Sequence, residues 1–348
     1  MKKLLTILLT LAIAISLPYA TYAADSMNSN AIHTIDEFGV IEYTDDNHQI
    51  IRIYSQTPAL STTCYRLNEQ VNHHTTRTIL AQLGMDEFFI NQLTDEQLDE
   101  YANAKSFVGI SSYIKTDVDG NISYVSKSDA IKSAYAINNN FDQIIFDGDG
   151  HLDSASASFS DEYLHIYLLI IYKGNGTYKF STDAEWLTLP YFRGNDSLGI
   201  CAQNISIINS SRSGWISTTC EYDTRLGSSS ETQKNTFTAS DMQNVTNGVW
   251  DGSAALFNLP NNFIDVEFQQ IYSEIKTHYE FNARVQYPSL ESYFNASATY
   301  SHSELGLAFS PSISIDSNGP SASIGIDAFT LKDDFTAELS EPMHYIPD

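Results

Sequence analysis

The sequence predicts a mainly β protein, antiparallel and sandwich-like, with a small helical unit near its N-terminus. Three observations predict it. Beyond Ser106 the apolar residues recur with a period of two rather than 3.6. Short strand-like runs return at near-regular spacing with polar turns between them. Tyr163–Leu189 reads as a hairpin, because the β-branched and aromatic run Ile166–Tyr172 meets Gly174-Asn175-Gly176 and Thr177–Thr182 follows at once. Its first strand is apolar on both faces from Ile166 to Ile171, which places it centrally in a sheet covered on both sides.

Residues 1–23 have the pattern of a secretory signal peptide. Lys2 and Lys3 give the positive start, Leu4 to Leu17 the apolar core, and Thr21-Tyr22-Ala23 a small-x-small cleavage site. That core is shorter than the about 20 residues a membrane-spanning helix needs, so a secreted, extracellular protein is expected rather than an anchored one. No Cys follows at once to carry a lipid. Residues 24–63 form a polar leader with one strand, Gln49–Tyr54.

Residues 64–105 make the helical unit. Val71–Leu83 carries Ile79, Leu80 and Leu83 at helical spacing, with Gly84 as its C-terminal cap. A second helix covers Asp86–Leu93. Thr94-Asp95-Glu96-Gln97 is a capping box that opens a third, running to Ala104 with Leu98, Tyr101 and Ala102 inward.

Residues 106–226 are a β-rich region. Ser111–Thr116 and Asn121–Ser126 flank a turn at Asp117–Gly120, and Ser128–Asn138 suits a short helix. Strands at Gln143–Phe146 and Ser154–Phe159 would bracket Asp147–Asp153, and Trp186–Arg193 closes the central hairpin. Residues 227–248, rich in Ser, Thr and Asn, read as a long loop. Residues 249–348 form a second β-rich region, with strands at Ala254–Phe257, Val266–Ile271, Lys276–Gln286, Tyr293–Tyr300 and Leu305–Phe309. In its last hairpin Ile313, Ile315, Ile324 and Ile326 can share one face, with serines on the other.

Composition excludes some partners. A formal net charge of −25 repels phosphate backbones, so nucleic acid is not expected. With 18 Lys and Arg there is no basic helix face to hold anionic lipid, and a membrane partner is not expected either. The three cysteines, in an oxidising compartment, leave room for one disulfide. Cys201 and Cys220 lie equidistant from a turn centred on Ser210-Ser211, so they could face each other across a ladder. That bridge would add roughly 3 kcal/mol on the chain-entropy model. Cys64 is then the odd thiol.

Asp147, Asp149 and Asp153, with Gly150, resemble acidic loops that wrap Ca²⁺, since alternating Asp and Gly supplies hard oxygens on a tightly turning chain. The EF-hand match is incomplete, because Ile145 and Ser156 fall where carboxylates are required. A polar turn between two strands accounts for the same residues and is the commoner use. Ca²⁺ is the one cofactor the sequence admits.

No zincin, nucleophile-elbow or phosphate-loop motif is present. Paired carboxylates for glycoside hydrolysis stay open, since 43 acids offer many spatial pairings. His165 lies within the central strand, where a satisfied core or interfacial role outweighs a catalytic one.

Trp186-Leu187-Thr188-Leu189-Pro190, followed by Phe192-Arg193 and Asp196, resembles a pattern in uncharacterised secreted proteins of Gram-positive bacteria. Asn258-Leu259-Pro260 and Ala298-Thr299-Tyr300-Ser301-His302 resemble downstream stretches of the same group. No fold or activity attaches to that group, so the resemblance transfers no catalytic residue.

The function expected is that of a secreted, non-catalytic binding or surface-interaction protein with an extracellular protein or carbohydrate ligand. Two alternatives are carried forward: a secreted pore-former built on the C-terminal hairpin, and a secreted hydrolase with dispersed carboxylates.

Overall fold

A computed structural model of the chain describes residues 34–35, 40–45, 48–55, 73–145, 161–190, 193–224, 227–264, 268–303, 312–318, 321–327, 332–339 and 342–347. The signal-peptide reading, Cys64, the strand expected at Ser154–Phe159 and the Asp147–Asp153 stretch lie outside them.

The larger sheet starts with β1 (Thr34–Ile35), β2 (Ile41–Thr44) and β3 (Ile50–Ser55). The chain then makes three short helices, α1 (His73–Gln82), α2 (Glu87–Asn91) and α3 (Asp95–Ala102). It returns through β4 (Ser106–Thr116) and β5 (Ile122–Val125) to α4 (Lys127–Ile145). Next come β6 (Glu162–Gly174), β7 (Thr177–Trp186), β8 (Asn195–Gln203), β9 (Ile205–Ile207) and β10 (Ser213–Thr224). Then follow β11 (Gly227–Thr236), β12 (Met242–Asn247), β13 (Trp250–Asn258), β14 (Phe263–Ile264) and β15 (Phe268–Val285). The chain ends in β16 (Ser292–Phe294), β17 (Ala296–Ser303), β18 (Ser312–Asn318), β19 (Ser321–Asp327), β20 (Lys332–Glu338) and β21 (Met343–Tyr345).

The fold class is the expected one: two antiparallel sheets packed face to face. One runs β1-β2-β3-β4-β6-β7-β15-β10-β11, the other β12-β13-β8-β17-β20. Their facing sides share one apolar core, in which Ile110, Ile166, Leu168, Ile170, Phe180 and Phe281 from the larger sheet meet Ile200, Ala298, Tyr300 and Phe335 from the smaller. Strand β6 is central and buried on both sides, with Ile166 through Ile171 each no more than 1% exposed. Each such aliphatic side chain removed from water stabilises by about 1.5–3 kcal/mol. The hairpin reverses at Gly174-Asn175-Gly176, all three in the left-handed region, which glycine enters freely and asparagine at modest cost.

The outer face of the larger sheet is covered by helices. Ile79, Leu80, Leu83, Phe89, Leu98 and Tyr101 of α1–α3 and the loops between them pack on Phe107, Tyr167, Leu169 and Ile171. At the other end Ala130 and Ala134 of α4 pack on Tyr113 and Tyr163. The capping box forms as read: the Thr94 hydroxyl accepts from the Gln97 amide, and the Gln97 side chain accepts from the Thr94 amide.

Four expectations are corrected. Gln143–Ile145 belongs to α4, whose helical pattern runs on past Asn138. Residues 227–248 are no loop: they carry β11 and β12. The strands expected at Val266–Ile271 and Lys276–Gln286 are one 18-residue strand, β15, with a register shift where Glu274 adopts φ 48°. Cys201 and Cys220 are both free and buried. Cys201 lies in β8 of the smaller sheet and Cys220 in β10 of the larger, because the chain crosses between sheets at β9 instead of forming the expected hairpin.

Gly109 sets the docking distance of the helices. A Cβ there would lie 2.6 Å from the Leu83 carbonyl and 2.7 Å from the Tyr167 hydroxyl, and that hydroxyl donates to the same carbonyl at 3.2 Å. Gly109→Ala should therefore cost roughly 1–3 kcal/mol through overpacking, read as a lowered denaturant midpoint. An unchanged midpoint would show that α1 does not press on β4.

Candidate binding site

Strand register lays the outer-face residues in rows. Tyr113, His165, Glu185 and Lys276 stand side by side on β4, β6, β7 and β15. The next row reads Ser111, Tyr167, Asp183, His278 and Trp215; the row beyond reads Gly109, Leu169, Ser181, Glu280 and Ser213. Period-two alternation makes this face polar, since each of these strands sends its apolar residues to the sandwich core.

Helices α1–α3 close over the second and third rows and bury charge there. The His278 Nδ1 lies 2.6 Å from Asp183 Oδ1, and its Nε2 3.4 Å from Glu280 Oε2. The Lys179 ammonium, 4% exposed, sits 3.0 Å from Glu280 and 2.9 Å from Glu100 of α3. Gln97 of α3 donates to Glu280 as well, at 3.1 Å. Trp215 stacks on His278 on one side and on Phe89 of α2 on the other.

These surroundings set the proton affinities. Burial alone would lower the His278 pKa, but hydrogen bonds with Asp183 and Glu280 carry it up to about 9. Burial works against the Glu280 carboxylate too, yet His278 and Lys179 hold it far below its ordinary range. Burial lifts Asp183. The network thus keeps a cation at His278 and its anion at Glu280.

The first row lies in the open. Between the α1–α2 cover and α4 is a cleft of about 400 Å³, within the range of small-molecule sites. Its floor is Arg52, Ser111, Tyr113, His165 and Glu185; its walls are Gln82, Met85, Asp86 and Glu87 on one side and Lys127 and Ile131 on the other. The charges are largely matched. Arg52 pairs with Glu42 at 2.7 Å, and the Lys276 ammonium stands 2.9 Å from Glu185 and 3.8 Å from Asp86.

His165 is the exception. Its ring stacks on Tyr113 with centroids 4.3 Å apart, it is 8% exposed, and its Nε2 has no hydrogen-bond partner among the described residues. Burial pushes its pKa down to about 3, so the imidazole is neutral at pH 7.

A second polar group is sealed in the sandwich. Trp186 Nε1 donates to the Tyr300 hydroxyl, which donates to Asp196, and His302 Nδ1 lies 3.0 Å from the same carboxylate. Arg193 donates to the Pro260 carbonyl nearby, and the Leu259 amide to Gly194. The three stretches that carried the sequence resemblance therefore meet at one place. Asp196 and His302 are 0% and 1% exposed, so this pair braces the two sheets and faces no cleft.

Of the residues singled out from sequence, His165 alone reaches the cleft. Asp147, Asp149 and Asp153 lie outside the described residues, and Cys201 and Cys220 are buried elsewhere. Among the described residues no cluster of three or more His, Cys, Asp and Glu could hold a metal ion. The ionic rows were missed because a polar strand face ordinarily meets solvent. The signal lay in complementary runs: Lys179, Asp183 and Glu185 on one strand against Lys276, His278 and Glu280 on another.

No protein-family profile and no characterised protein sequence matches the chain. Among solved structures it is similar to Clostridium perfringens delta-toxin, at 8% identity and a TM-score of 0.20, over 67% of this chain and 89% of that one. A superposition that loose bears on neither site nor activity.

The pKa directions predict a stability profile. His278, raised from 6.5 to about 9, contributes fully below pH 6.5 and loses that contribution as the pH rises to 9. His165, depressed from 6.5 to about 3, acts oppositely, because the unfolded chain takes up the proton first; stability falls as the pH drops from 6.5 toward 3. Glu280, depressed from 4.5, adds to the acid-side loss. Urea midpoints should peak near pH 6.5, and His278→Gln should flatten the alkaline limb. A wild-type alkaline limb already flat between pH 6.5 and 9 would contradict the assignment.

Proposed function

We propose that the chain is an exported, non-catalytic binding protein that takes an extracellular protein or carbohydrate ligand into the cleft between its two helical covers. The apolar, Lys-led start of the sequence supports export. One observation carries the site: a small-molecule-sized cleft whose floor holds a buried imidazole nitrogen with no partner. Buried polar groups are ordinarily satisfied, and an orphan facing a cleft is a place for a ligand atom.

The non-catalytic part rests on the carboxylates. Glu185 and Asp86 share the Lys276 ammonium, whereas a glycosidase pair needs about 5–9.5 Å between its carboxyl groups, filled by sugar or water. Isothermal titration of the purified mature chain against glycan and peptide libraries should find a ligand whose binding Glu185→Ala and Lys127→Ala weaken tenfold or more. Turnover of a glycan, peptide or ester would reject the non-catalytic part.

A second reading has its own support. β18 and β19 form a two-stranded sheet of their own, laid against β8, β12 and β17, and the register pairs Ile313 with Ile326 and Ile315 with Ile324. An amphipathic hairpin outside both large sheets could leave them and enter a bilayer as a pore strand pair. Its seven-residue strands are short of the about 9–11 residues a span needs. Dye-loaded liposomes that stay intact at micromolar protein would remove this reading; rapid release would favour it over the first.

A further inference from the structure

We infer that the cleft takes a neutral saccharide, with a ring hydroxyl hydrogen-bonded to His165 Nε2; this rests on the binding reading above. Three observations lead there.

The first is charge. The four carboxylates of the cleft, Glu42, Asp86, Glu87 and Glu185, face the cations Arg52, Lys127 and Lys276. Arg52, Lys276, Glu42 and Glu185 already lie in ion pairs. A charged ligand would have to break one of them, whereas an uncharged one adds hydrogen bonds and leaves them intact.

The second is shape. Carboxylate and guanidinium groups are planar and bidentate, so they match the vicinal hydroxyls of a sugar ring. At about 400 Å³ the space suits one or two such rings. Ser111 adds a neutral hydroxyl on the floor.

The third is His165. A neutral imidazole can accept at one nitrogen and donate at the other, and a sugar hydroxyl does either. The stack on Tyr113 and the place within β6 fix the ring, so its Nε2 meets a ligand already oriented. A carboxylate or phosphate ligand would use this nitrogen only as a donor, and a quaternary ammonium not at all.

The experiment is a titration of ¹⁵N-histidine-labelled full chain at pH 7. One set of probes is the methyl glycosides of glucose, galactose, mannose and N-acetylglucosamine; the other is acetate, methyl phosphate and tetramethylammonium. At least one glycoside should shift the His165 nitrogen resonances saturably, while the charged probes leave them in place. His165→Leu should weaken that glycoside at least tenfold. Should His165→Leu fail to fold, Ser111→Ala carries the same test with a smaller expected loss. If a charged probe moves His165 and no glycoside does, the saccharide assignment falls and the binding reading stands. If neither set perturbs any cleft residue, both fall.

Discussion

Strand β6 must be buried on two sides by two different materials, and the rest of the architecture follows from that. Its apolar residues leave nothing for solvent from Ile166 to Ile171. One side is satisfied by the second sheet. The other is satisfied only where helices descend on it, and they descend onto neighbouring strands that present Lys179, Asp183, His278 and Glu280. Covering the grease of β6 therefore buries charge beside it. Bare charges in such a layer cost several kcal/mol each, so each is given a partner, and one partner, Glu100, comes from a helix. The helical unit closes an electrostatic circuit as well as an apolar gap.

The same constraint creates the cleft. The helices come as two pieces separated in sequence by β4 and β5, and each covers one end of the outer face. Between them the row Tyr113, His165, Glu185, Lys276 is left partly uncovered. The buried rows beneath α1–α3 resolve their charge within the protein. The row at the gap resolves most of its own and leaves the His165 nitrogen open. Site and scaffold are two treatments of one polar sheet face, with and without a helix above it.

Much of this was legible in the sequence where local chemistry decides the outcome. The Thr94 capping box, the Gly84 cap, the Gly174–Gly176 reversal and the two-sided burial of β6 each follow from a few adjacent residues. What was not legible depends on distant partners. β11, Gly-Ser-Ser-Ser-Glu-Thr-Gln-Lys-Asn-Thr, is an exposed edge strand with no apolar residue to give it a period. β15 reads as two strands because the bulge at Glu274 breaks its alternation. Cys201 and Cys220 look symmetric about a turn, but the chain changes sheets between them. The cleft joins β3, β4, β6, β7, α4 and the segment linking α1 to α2, and no window of sequence contains it.

The central claim is that α1–α3 and the core of the larger sheet form one cooperative layer, joined through buried charge. Native-state hydrogen exchange tests it most directly. The account predicts that amides within α3 and α1 open with nearly the same free energy as those of Ile166–Ile171, and that Glu100→Gln lowers both together. Helix amides exchanging many orders of magnitude faster than β6, with β6 indifferent to Glu100→Gln, would contradict it.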